Sequence, residues 1–111
     1  MKPALSSELK IDYVWLAMDD VTNQLSEADL EAMEEILLTT SCWRGKYAAA
    51  PFSVCEETVE IAVWQEGFGP AERIRFYLVG GQEKYAFQTM GRMYRIRNGE
   101  EMLRAILAII Q

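Results

Sequence analysis

The sequence predicts an α+β domain of two layers, a mostly antiparallel sheet of about four strands with helices packed mainly on one face. Three observations carry this. Four runs (58–65, 73–79, 84–89 and 92–97) alternate polar and apolar residues, glycine-bearing segments divide them, and a nearly unbroken apolar stretch from Met102 to Ile110 follows. Successive strand side chains point to opposite faces, and strands joined by short turns pair antiparallel, so such a meander must bury its apolar side against helices. The 111 residues form one domain, 1–111, long enough to bury roughly 65% of the surface its unfolded chain exposes.

The N-terminal segment reads two ways. A helix over 7–22 is favoured, capped by Ser6 or Ser7, because Ile11, Val14, Trp15, Met18, Val21 and Leu25 recur at spacings of three and four. Leu9, Ile11, Tyr13, Trp15 and Ala17 also alternate with polar residues, and their β-branched and aromatic content suits a strand. A second helix, 26–38, has a serine cap, acids in its first turn, and Leu25 and Leu30 placed to staple. Leu30, Met33, Ile36 and Leu37 face inward, and Glu27, Glu31, Glu34 and Glu35 face out.

Residues 40–57 break the pattern, and Trp43, Tyr47 and Phe52 either pack this loop onto the domain or line a pocket with Arg44. In the meander, Val59, Ile61, Val63, Ile74, Phe76, Leu78, Tyr85, Phe87, Tyr94 and Ile96 fall on one face. Trp64, Arg73, Arg75, Tyr77, Lys84, Arg95 and Arg97 fall on the other. Gly80-Gly81 and Met90-Gly91 read as turns using glycine's access to positive φ, and Gly67 to Pro70 as a further turn. Asn98 reads as the cap of a helix over 99–110, with Glu101 reaching back to it.

The sequence has no histidine, which excludes Ser-His-Asp and Cys-His nucleophilic sites and histidine-bearing zinc sites. Cys42 and Cys55 lack the second pair that a structural zinc site needs, and they read as buried thiols in a reducing compartment. Neighbouring acids such as Asp19-Asp20 and Glu56-Glu57 read as surface residues, so no catalytic residue, metal or cofactor is assigned. No apolar run reaches the ~20 residues of a membrane span, and a soluble cytoplasmic protein is expected.

Charge is polarised. Residues 1–36 hold nine acids against Lys2 and Lys10, whereas residues 72–111 hold seven cations against four acids, within a net charge of −6. A small non-enzymatic interaction module follows, an adaptor or inhibitor whose acidic helix (Glu27, Glu31, Glu34, Glu35) meets a basic protein partner. The alternative is a small-molecule binder or modest enzyme, with Trp43, Arg44, Trp64, Arg73, Arg75, Tyr77, Arg95 and Arg97 as candidate ligand or anion contacts. An overall pI near 4.6 argues against nucleic acid. The broad apolar arc of the last helix predicts a homodimer through that helix or a sheet edge.

Overall fold

The structure is a computed structural model, and it describes residues 2–45, 47, 57–65, 74–82, 84–89 and 91–111. The fold is α+β. Among these residues an antiparallel sheet holds six strands: β1 (Lys10–Leu16), β2 (Asp19–Asp20), β3 (Thr58–Trp64), β4 (Ile74–Val79), β5 (Lys84–Thr89) and β6 (Arg92–Arg95). Their order across the sheet is β2-β1-β3-β4-β5-β6, with helices α1 (Glu27–Leu37) and α2 (Gly99–Ile110) inserted after β2 and after β6. Arg73, Phe52, Cys55, Met90 and the turn Gly67 to Pro70, all singled out from the sequence, lie outside the described residues.

The main correction is at the N-terminus, where the expected helix over 7–22 is the β1–β2 hairpin followed by a 3₁₀ turn at Thr22–Gln24. The sheet therefore gains two strands over the four expected. A bulge explains the misleading spacing: the β1–β3 register shifts between Ile11 and Tyr13. One extra residue puts Ile11 and Val14 three apart yet on the same face, as in a helix. Trp15 and Met18, also in the expected stripe, are 40% and 75% exposed.

One apolar cluster joins residues of the sheet and of α1 and α2. The cross-sheet row Val14, Ile61, Phe76, Phe87 and Tyr94 belongs to it, as do Met33 and Leu37 of α1 and Met102, Leu103, Ile106 and Leu107 of α2. Phe76 and Phe87 meet at 5.2 Å between centroids, the tilted geometry that aromatic pairs prefer. Ile109 and Ile110 pack partly buried on the same cluster, so the chain itself occupies most of the arc that suggested a dimer through α2.

Ser26 caps α1 as expected: its hydroxyl accepts from the Asp29 amide and the Asp29 carboxylate accepts from the Ser26 amide, each at 3.1 Å. Asn98 behaves differently from the expected cap. It precedes α2, but its side chain accepts from the Ser41 amide and donates to the Thr39 carbonyl, each at 2.9 Å, tying the end of α1 to the start of α2.

Gly80 also departs from expectation, because the chain passes through a 3₁₀ turn at Gly80–Gln82 and needs space there. A Cβ on Gly80 would lie 2.8 Å from the Leu103 side chain. Positive φ occurs instead at Gly91, in the β5–β6 turn, and at Ala17, in the β1–β2 turn.

Candidate functional site

The sheet face opposite the apolar cluster carries the candidate site. Antiparallel pairing puts directly opposed residues on one face, so the register defines its composition. One row runs Asp20, Trp15, Glu60, Tyr77, Ala86 and Arg95. The next runs Tyr13, Ala62, Arg75, Gln88 and Met93, and Lys10 pairs with Trp64 beyond it.

Tyr13, Glu60 and Arg75 form a closed polar group at the centre. The Tyr13 hydroxyl donates to the Glu60 carboxylate and accepts from Arg75 Nε at 3.4 Å. Burial and the bond to Glu60 push the Tyr13 hydroxyl above its usual pKa, with Arg75 partly opposing them. Tyr77 donates to Gln88 at 3.0 Å, and burial followed by the nearby Glu60 charge raises its pKa too. Both phenols are therefore held protonated, as hydrogen-bond donors to Glu60 and Gln88.

The aromatic residues around it are open. Trp15 is 40% and Trp64 47% exposed, and Trp15 packs on Tyr13 at 5.7 Å between centroids. At the far flank Trp43 is 48% exposed, with the Arg97 guanidinium 4.3 Å above its ring.

Both sheet edges are occupied among the described residues. On β1 the Ile11 amide donates to the Glu34 carboxylate at 2.9 Å, and Thr22 accepts from the Val14 amide at 2.8 Å. On β6, Trp43 and Tyr47 donate their amides to the Arg95 and Met93 carbonyls, each at 2.8 Å. Open edges invite strand addition, and these edges are blunted against it.

The expected site residues therefore divide. Trp64, Arg75, Tyr77 and Arg95 share the outer face, where Arg75 is tied to Tyr13 and the acids Asp20 and Glu60 join the cations and rings. Trp43 and Arg97 join a cleft of about 240 Å³ with Tyr85, Arg95, Ile96 and Glu100, and Arg44 is exposed. This volume falls below the ~300–1,000 Å³ usual for ligand pockets. Glu27, Glu31 and Glu35 are exposed on α1 as expected. Glu34 is half-buried and holds the β1 bulge, so its role is internal.

Sequence reasoning missed Tyr13, Trp15 and Glu60 as site residues, because a helical N-terminus could not place the first two beside β3. The alternation from Leu9 to Ala17 signalled a strand, but alone it groups Tyr13 and Trp15 with Leu9 and Ile11, and only the bulge turns them to the outer face.

Among the described residues no group of three or more histidine, cysteine or acidic side chains is arranged to hold a metal ion. Among them, too, no helix is long and apolar enough to cross a membrane. Burial raises the pKa of the Cys42 thiol, which makes it a weak nucleophile. Compared with models of protein families, with curated proteins and with solved structures, the chain matches none.

Proposed function

We propose that the chain is a non-enzymatic interaction module, an adaptor or inhibitor in type, whose docking surface is the outer sheet face. The reading takes both helices to lie on the opposite face, which makes a two-layer domain with one layer open. The observation that carries it is the pair Trp15 and Trp64, 40% and 47% exposed on one face beside Tyr13, Tyr77 and Arg75. Tryptophan, tyrosine and arginine are the residue types that dominate binding energy at protein interfaces. The blunted edges support the same reading, since they leave side chains and not backbone to meet a partner.

The test is site-specific photocrosslinking in the cell of origin, with the crosslinking residue at Trp15 or Trp64 and, separately, at Glu31 or Glu35. Discrete adducts from the sheet face, lost on adding an Arg95→Asp substitution, are expected. Adducts from the helix positions alone would move the docking surface to α1.

A second reading has its own observation. Glu27, Glu31 and Glu34 line one cleft of about 310 Å³ with Leu30, Ile11 and Lys10. A basic partner would dock there with charge mainly speeding its association. Glu31→Lys would then slow association steeply at low salt and little at high salt, and an unchanged rate at low salt would remove this reading.

A further inference from the structure

Resting on the assignment of the outer face as the docking surface, we propose that its occupant is the same face of a second copy, in a dimer whose twofold axis lies between the two sheets, parallel to the strands. The argument is self-complementarity, read along the rows that cross the sheet.

The strand order places the midline of the sheet between β3 and β4. A twofold axis along that midline lays each row on the same row of the second copy, reversed end to end. In the row Asp20, Trp15, Glu60, Tyr77, Ala86, Arg95, the reversal sets Asp20 against Arg95, Trp15 against Ala86 and Glu60 against Tyr77. An acid meets a base and a carboxylate meets a phenol, while the exposed indole lies over the side chains that cover Ala86. In the next row Tyr13 meets Gln88, and Arg75 meets Ala62. Ala62 and Ala86 are covered within the chain itself, so the contact rests on the charged and aromatic side chains around them, with the two sheets about 10 Å apart.

The competing axis, across the strands, would put Asp20 on Asp20 and Arg95 on Arg95 when it runs along this row, and off the row it would leave Asp20 without a basic partner. Like charges oppose that arrangement, so the charge layout selects the first axis. The two contacts expected for a dimer are already in use among the described residues: both edges are blunted, and α2 buries Met102, Leu103, Ile106 and Leu107 in its own core. Six strands about 4.8 Å apart span about 25 Å, so the contact buries on the order of 1,000 Å² in total. That area sits at the low end for specific interfaces and implies a reversible dimer at micromolar concentrations.

Sedimentation equilibrium of three chains tests this: wild type, Asp20→Arg and Arg95→Asp, with Glu31→Arg as a charge-matched control on α1. The wild type is expected to shift from a 12.7 kDa monomer toward twice that mass as concentration rises. Each face reversal should weaken association at least 10-fold, and the control should not. An equimolar mixture of the two face variants should recover the dimer, because every cross-axis pair then joins opposite charges, and misfolded chains would not recover. A wild type that stays monomeric overturns the second copy as occupant. If photocrosslinks at Trp15 and Trp64 still form, to a different protein, the interaction-module reading survives that result. A dimer indifferent to both reversals, or a mixture that stays monomeric, overturns the proposed geometry.

Discussion

Two rows cross the sheet one residue apart and differ in nearly every physical respect. Val14, Ile61, Phe76, Phe87 and Tyr94 form an apolar line, with the first three 0% exposed. Asp20, Trp15, Glu60, Tyr77, Ala86 and Arg95 alternate charge, ring and methyl, open at both flanks. Neighbours such as Phe76 and Tyr77 therefore face different surroundings, the first fully buried and the second half-buried on the outer face. The period of two keeps them apart, since a slip of one residue would exchange the faces entirely.

The sharpest way to break that contrast is to truncate one ring on each face. Phe76→Ala should destabilise the fold by about 3–5 kcal/mol, from lost transfer energy plus the cavity left behind. That is a large share of the ~5–15 kcal/mol typical of a domain. Trp64→Ala, with its ring about half exposed, should cost far less, about 1 kcal/mol or below. Urea denaturation of both variants decides the matter, and comparable losses would mean that the outer face is covered within the protein itself.

A smaller effect is expected where α2 meets the core face. A Cβ on Gly99 would lie 2.1 Å from Cγ and 2.2 Å from Cβ of Tyr85. Helix propensity alone favours Gly99→Ala by up to about 1 kcal/mol. The clash is with the base of a ring packed partly buried on the core, which leaves little room to yield, so overpacking wins and a net loss of about 1–3 kcal/mol is expected. In a Tyr85→Gly background, which removes both the ring and the Cβ that the new methyl would meet, the same substitution should be neutral or stabilising. A loss there as well would assign the effect to the backbone.

The core face was legible in the sequence from β3 onward because alternation there is unbroken: Val59, Ile61, Val63, Ile74, Phe76 and Leu78 all fell on the expected side. The helices 26–38 and 99–110 were legible from the serine cap and the long apolar run. The N-terminal hairpin was obscured by the bulge, which converts a spacing of two into a spacing of three. Half of the candidate site was obscured with it, since Tyr13 and Trp15 reach that face only through the register of β1 on β3. Glu34 and Asn98 were misread for a related reason. Each looks like an ordinary helix residue locally, and each makes its decisive bond to a segment at least 23 residues away, which no local pattern records.

Glu34 and Glu31 allow a finer comparison within the acidic helix. Glu34→Ala leaves the Ile11 amide without its acceptor in a partly buried setting and should cost about 1–2 kcal/mol. Glu31→Ala, exposed one turn away, should fall within about 0.5 kcal/mol of wild type. Equal values in thermal or urea unfolding would mean that the bulge does not depend on the carboxylate.

The smallest effect concerns two phenols of the outer face. Tyr13 and Tyr77 both sit above the ordinary value of 10.0, chiefly because burial disfavours the phenolate, with the Glu60 bond and charge adding to it. Unfolded, both release their protons near pH 10; folded, they hold them to higher pH. Above pH 10 the unfolded chain therefore binds fewer protons than the folded one, and stability falls as pH rises through the raised values. Below pH 10 both phenols are protonated in either state, and this contribution is fully present. A tyrosinate difference titration should show part of the five-tyrosine signal delayed beyond the ordinary range. Glu60→Gln removes the shared negative charge and should draw both phenols back toward 10.0, narrowing that window. If all five tyrosines ionise together in the wild type, the closed group of Tyr13, Glu60 and Arg75 does not persist in solution, and the outer face loses the rigid centre on which its open indoles stand.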